Sequence, residues 1–261
     1  MRDLIIRNVK RGLGRYGYEL VRIQSSPATP VAPDEFPPDF DDATKETIRA
    51  VDGYTMTGPE KIFALCHAVR HVVLHDVPGA FVECGVWRGG SMMAVARTLL
   101  ELDAATRDLY LFDTYEGMPA PTEHDIDIDG VSAFERWHSQ KRNRLTPGEA
   151  RASLPEVRQA MQRVGYKSSL VHFVKGLVED TIPAKAPDQI ALLRLDTDYY
   201  ESTRHEMFEL YPRLVPGGVL IVDDYGHFKG SEKAVREFLE ATGEPILLHL
   251  VDYSARVGVK P

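Results

Sequence analysis

The sequence predicts an α/β fold: a largely parallel sheet, with helices in its crossovers, closed by an antiparallel hairpin. Three observations carry this expectation. Two apolar runs end in acids, Ile190-Ala-Leu-Leu-Arg-Leu-Asp196-Thr-Asp198 and Gly218-Val-Leu-Ile-Val-Asp223-Asp224, and between them Met207, Leu210, Tyr211 and Leu214 recur at helical spacing. Such a strand, helix, strand unit makes its two strands parallel. An earlier run, Ala80-Phe-Val-Glu83-Cys-Gly85-Val-Trp-Arg-Gly89-Gly90-Ser91, reads as strand, glycine turn and helix. Finally, the apolar runs 245–251 and 255–259 are joined by Asp252-Tyr253-Ser254, which is short enough for a hairpin.

Taken in order, residues 4–23 form a basic, partly amphipathic stretch with Arg2, Arg7, Lys10, Arg11, Arg15 and Arg22 on or beside it. It reads either as a solvated helix face or as an arm that covers substrate or clasps a partner subunit in a homodimer. Residues 25–39 hold five prolines and read as an extended connector. A helix is expected from Asp41 or Asp42 to Gly53. Residues 1–53 are therefore assigned to an N-terminal arm, connector and helix, and residues 54–261 to the main domain. A turn at Thr55-Met56-Thr57-Gly58-Pro59 opens a second helix with Ile62, Leu65, Cys66, Val69, Val72 and Val73 on one face. His67, His71 and His75 lie along it at four-residue steps, but with no second ligand source they read as surface or boundary residues.

The glycine turn at Gly85–Ser91 lets the backbone approach a ligand closely, and the following helix N-terminus favours a negative group. Its middle positions are Val86 and Trp87, so it is not the dinucleotide pattern. A second strand, Asp108-Leu-Tyr-Leu-Phe-Asp113, ends in an acid 28 residues beyond Gly85 (85 to 113), suited to gripping ribose hydroxyls or to capping a helix. Together these favour an adenosine-type ligand.

Between Gly117 and Gly165 the chain reads as polar and irregular, and residues 118–150 as a mobile lid with Phe134 and Trp137 as apolar anchors. Asp125-Ile-Asp127-Ile-Asp129-Gly130 has the opening of an EF-hand calcium loop, but its twelfth position is Arg136 where a bidentate Glu is required. Calcium is rejected there. A third strand at 170–174 runs into Lys175-Gly176, and a helix is expected over 232–240.

Composition bounds the partners. The 261 residues suit one large domain with appendages, and 43% hydrophobic content is ordinary for a globular protein. No apolar run approaches a membrane span, and the charged start does not read as a secretory signal. A net charge of −8 argues against nucleic acid or an anionic membrane. Cys66 and Cys84 read as buried thiols in a reducing cytoplasm.

If the two acidic strands are neighbours, their tips lie about 5 Å apart. Asp196, Asp198, Asp223 and Asp224 then share one crevice, and four carboxylates there conflict unless a cation joins them. An all-oxygen site suits Mg²⁺ better than Zn²⁺. Each Asp taken singly reads equally well as a helix cap.

Glu83-Cys-Gly-Val-Trp-Arg-Gly-Gly-Ser, Asp113-Thr-Tyr-Glu-Gly-Met-Pro, Lys175-Gly176, Asp196-Thr-Asp198-Tyr-Tyr-Glu-Ser-Thr and Pro216-Gly-Gly-Val-Leu-Ile-Val-Asp-Asp-Tyr225 resemble the macrocin O-methyltransferase family of S-adenosylmethionine-dependent sugar methyltransferases. The resemblance runs from about Met56 to Phe238. It implies a class I methyltransferase, Rossmann-like fold with a seven-stranded sheet and helices on both faces. It also implies that Asp196, Asp223 and Asp224 hold Mg²⁺, that Glu83 and Ser91 contact the methionine end of S-adenosyl-L-methionine, and that Asp113 contacts its ribose. Gly85, Gly176, Met56 and Thr57 border the same pocket by this match.

The implied acceptor is a sugar hydroxyl on a glycoside or on a bacterial oligosaccharide or polysaccharide. Such a hydroxyl must lose its proton while its oxygen is aligned with the sulfonium methyl. Asp198 is the candidate general base; His205, His124 and His227 are alternatives. Two rivals stand beside this reading. Asp-Thr-Asp followed by Asp-Asp is superficially like a Mg²⁺-dependent phosphatase of the haloacid dehalogenase type, although only one helix fills the interval from Asp196 to Asp223. The other rival is a cofactor-binding subunit without chemistry, against which the retention of four Asp residues argues.

Overall fold

The computed structural model describes residues 36–142 and 151–261. The basic stretch at 4–23, most of the connector and residues 143–150 lie outside the described residues. The helices are α1 (Asp42–Val51), α2 (Pro59–Leu74), α3 (Gly90–Glu101), α4 (Ala133–Arg142), α5 (Leu154–Val164), the single turn α6 (Val178–Thr181), α7 (Tyr200–Leu210) and α8 (Lys229–Thr242). The strands are β1 (Ala80–Cys84), β2 (Leu109–Asp113), β3 (Val171–Lys175), β4 (Ile190–Leu195), β5 (Leu214–Val222), β6 (His249–Leu250) and β7 (Arg256–Val259).

The strands make one seven-stranded sheet in the order β3-β2-β1-β4-β5-β7-β6, with β1 to β5 parallel and β7 antiparallel to both its neighbours. This is the expected mixed sheet with a C-terminal hairpin. Alternation along the buried strands divides the interior in two. Phe81, Leu109, Leu111, Leu192, Val219 and Ile221 face the first core, which α2, α3 and α5 cover through Leu65, Val69, Val95, Leu99 and Val157. Val82, Phe112, Leu193, Leu195, Leu220 and Val222 face the second, covered by α7 and α8 through Met207, Leu210 and Phe238. Cys66 and Cys84 are free, buried thiols.

Register sets the ends of the strands level. Cys84 pairs with both Phe112 and Leu195, and Leu195 pairs with Val222. The next residue of each strand path therefore falls in one row: Asp113, Gly85, Asp196 and Asp223. The chain leaves β1 towards β2 on one side and β4 towards β5 on the other, so this row straddles the switch point where open α/β sheets bind ligands.

Several elements differ from expectation. The stretch 117–165 contains two helices rather than irregular chain. In α5, Ser153 and Glu156 form a capping box, Gly165 ends the helix with φ 80°, and Val157, Ala160 and Met161 are buried. Phe134 anchors nothing in the core, being 42% exposed. β5 begins at Leu214, ahead of the Pro216-Gly217 turn, because Leu214 pairs with Ile190 before a register irregularity. β6 has only two residues, both exposed, at the sheet edge.

The start of α1 falls where its sequence placed it. Asp41 caps the helix: its carboxylate accepts the Thr44 N–H at 2.9 Å and the Arg70 guanidinium at 2.8 Å. The hydrogen bond from Arg70 holds the Asp41 carboxyl well below the usual carboxylate range. Asp41→Ala should lower unfolding stability in urea by about 1–2 kcal/mol, and Asp41→Asn by less because the cap acceptor survives. Since the folded pKa is depressed, the difference between wild type and Asp41→Ala should be full at neutral pH and shrink as pH falls below about 4.

Candidate active site

The row of strand ends opens on a cavity of about 560 Å³. Gly85 takes φ 83°, and a Cβ there would overlap the carbonyl oxygen of Asp196, so only glycine lets the ends of β1 and β4 come this close. Their contact is tied by the Asp196 N–H donating to the Cys84 carbonyl at 2.9 Å. Trp87 follows at φ 45°, an uncommon conformation for a bulky residue. The Asp113 carboxylate steadies this turn, accepting the N–H groups of Val86 at 2.7 Å and Trp87 at 3.0 Å, and that of Tyr115 at 2.6 Å. Asp113 thus braces the glycine turn while also lining the cavity.

Beneath the cavity lies a buried charge network centred on Arg194 of β4. Its Nη1 donates to Glu83 at 2.5 Å and to Asp196 at 2.6 Å; its Nη2 donates to Asp223 at 2.6 Å and to the Thr57 hydroxyl at 3.0 Å. Lys61, from the first turn of α2, donates to the other Asp223 oxygen at 2.6 Å. Burial opposes the Asp223 charge, but the Arg194 and Lys61 cations outweigh it and hold that carboxyl below its ordinary range. The other acids lack this balance. Burial, then the Asp196 and Asp223 charges, push Asp198 up to about 8, and burial pushes Asp224 well up. Asp198 also sits at φ 64°, a costly backbone conformation of the kind that clusters at functional sites.

Asp196, Asp223 and Asp224 each offer an oxygen, and these lie within 4.8 Å of one another. Asp224 Oδ2 is buried with no hydrogen-bond partner. An orphaned carboxylate oxygen is costly, and a hard divalent cation is the partner such an all-oxygen set fits.

Met56, Thr57, Gly85, Ser91, Asp113, Gly176, Asp196, Asp198, Asp223 and Asp224 all border the same cavity. Glu83 lies under it, 1% exposed, with Oε2 unpartnered. The structure does not bring His205 there. Although it is close in sequence to the acidic tip, its position on α7 points its Nε2 at the Ile182 carbonyl, 3.0 Å away. His124 packs against Tyr200 beside Lys233, whereas His227 does line the cavity. Sequence reasoning missed Arg194, Lys61, Tyr199, Phe228 and Tyr253. Arg194 carried a signal, a charge inside a buried run and two residues from an acid; Lys61 carried none.

The insertion is pinned at its base. Asp125, fully buried, accepts the Tyr200 N–H at the start of α7 at 2.8 Å and the Thr122 N–H at 2.6 Å. Asp127 accepts the Val131 N–H at 2.8 Å and Arg136 at 2.7 Å. The calcium-like run is therefore a turn in which the Asp125 and Asp127 carboxylates bind the protein's own N–H groups.

A family model described as Macrocin-O-methyltransferase (TylF) matches residues 25–257. The chain is 36% identical over 172 residues to the 8-demethyl-8-(2,3-dimethoxy-alpha-L-rhamnosyl)-tetracenomycin-C 4'-O-methyltransferase of Streptomyces olivaceus, covering 66% of this chain and 62% of that enzyme, less than two thirds of its length. It is 32% identical over 187 residues to the demethyldecarbamoylnovobiocin O-methyltransferase of Streptomyces niveus, covering 72% of this chain and 68% of that one. The structure of the O-methyltransferase NovP aligns with a TM-score of 0.69 at 30% identity, over 79% of this chain and 82% of that one. With the sheet order, the glycine turn and the acidic strand ends already pointing the same way, the chain belongs to the macrocin O-methyltransferase family.

Proposed function

We propose that this protein transfers the methyl group of S-adenosyl-L-methionine to a sugar hydroxyl, with Mg²⁺, on a glycoside or on a bacterial oligosaccharide or polysaccharide. The observation that carries the reading is the convergence of Asp196, Asp223 and Asp224 on the same cavity as the Gly85–Ser91 turn. The rhamnosyl ring in the name of the S. olivaceus relative supports a sugar acceptor.

In this reading Gly85, Ser91 and Gly176 leave room for the cofactor, Asp113 faces its ribose, and Met56 and Thr57 close its methionine end. Glu83 lies beneath that end. Asp196, Asp223 and Asp224 hold the metal, which when bound lowers the pKa of an acceptor hydroxyl and fixes its direction. Asp198, as carboxylate, takes the hydroxyl proton while the oxygen attacks the methyl carbon and the S–CH₃ bond breaks. The products are a methyl ether and S-adenosylhomocysteine. Burial, which raises Asp198, makes it a stronger base near neutral pH than an ordinary carboxylate. The geometry of His205 favours Asp198 over it. The phosphatase rival loses its support, because residues 25–257 match the macrocin O-methyltransferase family.

Calorimetric titration of S-adenosylhomocysteine, with and without MgCl₂, tests both halves of the site. Wild type should bind the ligand and respond to Mg²⁺, while Asp224→Asn should bind the ligand and lose the Mg²⁺ response. No binding under either condition would sink the methyltransferase reading. In a screen of glycoside acceptors, Asp198→Asn should lower kcat by about 10²- to 10⁴-fold with the affinity for S-adenosylhomocysteine retained. His205→Gln should stay within a few-fold of wild type; the reverse ranking would transfer the base to His205.

A further inference from the structure

Both oxygens of the Asp223 carboxylate are already engaged by cations of the protein, Arg194 at Oδ1 and Lys61 at Oδ2, each at 2.6 Å. The two cations are held differently. Arg194 is 3% exposed and its guanidinium is shared among Glu83, Asp196, Asp223 and Thr57. It has no alternative position. Lys61 reaches in from α2 on a flexible stem, and its Nζ already lies 3.9 Å from a second carboxylate, Asp252 Oδ2, on the connection between β6 and β7. That connection is built to present Oδ2: Asp252 Oδ1 accepts the N–H groups of Ser254 at 2.9 Å and Ala255 at 2.7 Å, leaving Oδ2 turned towards Lys61.

Resting on the reading that Asp196, Asp223 and Asp224 hold Mg²⁺, we propose that Lys61 is the exchangeable counter-ion of that centre. Its ammonium occupies Asp223 Oδ2 while the centre is without metal and passes to Asp252 when Mg²⁺ arrives. Charge balance is the reason. Asp196, Asp223 and Asp224 converge in a crevice where interactions between charges are weakly screened, and the ammonium of Lys61 sits on one of the oxygens that a cation held by this set would approach. Lys61 brings one positive charge to that oxygen, whereas a divalent ion brings two. Two cations on one carboxylate oxygen repel each other, so the weaker and more mobile one yields. An ammonium suits this role because it is a compact charge with freely rotating donors, whereas a guanidinium is fixed by its planar fork. Asp224 Oδ2, buried and unpartnered, is an oxygen of the set that Lys61 does not reach.

The test needs no acceptor substrate. MgCl₂ is titrated calorimetrically into the full chain as wild type, Lys61→Met and Asp252→Asn, with thermal melts across an MgCl₂ series as a second readout. Lys61→Met should bind Mg²⁺ about tenfold tighter or more, since a neighbouring positive charge is gone. It should also gain more thermal stability from Mg²⁺ than wild type does. Asp252→Asn, which keeps the Oδ1 acceptor of the turn, should bind Mg²⁺ several-fold more weakly, because the displaced ammonium has lost its destination. Binding to wild type with equal or weaker binding to Lys61→Met overturns the exchange and leaves the metal centre standing. Absence of Mg²⁺ binding in all three proteins overturns both. Should Lys61→Met fail to fold, Asp252→Asn decides alone, and an unchanged or tighter affinity there overturns the exchange.

Discussion

A guanidinium buried within β4 joins the acids of three strands, and the ligand-binding end of the sheet depends on it. Arg194 touches Glu83 on β1, Asp196 at the tip of its own strand and Asp223 at the tip of β5. Without it, three carboxylates packed against apolar strands would protonate or repel one another apart. Breaking such a buried pair by removing one partner typically costs about 3–5 kcal/mol, chiefly from the charges left behind. Arg194 also reaches Thr57, so the segment before α2 is positioned by the same group that organises the strand tips. One side chain thereby links the wall assigned to the cofactor with the wall assigned to the metal.

The sheet makes this linkage available through two ordinary constraints. Alternation sends neighbouring residues of β1, β2, β4 and β5 to opposite cores, so each strand is covered on both sides and can carry nothing polar until it ends. Arg194 and Glu83 are the exceptions, and they answer each other. Parallel register then levels the ends, so the acids Asp113, Asp196 and Asp223 emerge in one row with Gly85 among them. The reversal of strand order between β1 and β4 opens the crevice they face.

The parts of this arrangement that depend on short-range pattern were legible in the sequence. Apolar runs ending in Asp113, Asp196 and Asp223, the glycine turn at Gly85, the Asp41 cap and the closing hairpin all announce themselves within a few residues. Helix α5 was equally present, in Ser153, Glu156 and the spacing of Val157, Ala160 and Met161, but its many polar residues masked the stripe. What could not be read was reach. Lys61 is an unremarked lysine until α2 packs beside β5, and Asp113 serves a turn 27 residues earlier in the chain, at Val86, which no local pattern records. His205 illustrates the converse, nearness in sequence without a place in the cavity wall. Nearness to the acidic tip along the chain suggested a base, and the rotation of α7 directed its ring to Ile182 instead.

The buried Asp125 and Asp127 make the insertion after β2 a staple with two legs. One leg grips the first N–H of α7; the other forms a bridge to Phe228, just before α8. These two helices are the ones that follow the acidic tips, so the staple holds the walls of the crevice while its own crown, with Ile128 56% and Val131 45% exposed, carries none of that duty. Substitutions on the crown therefore leave the anchoring carboxylates undisturbed. Tolerance and constraint thus lie side by side within one continuous stretch of about a dozen residues, separated only by which of them face the legs.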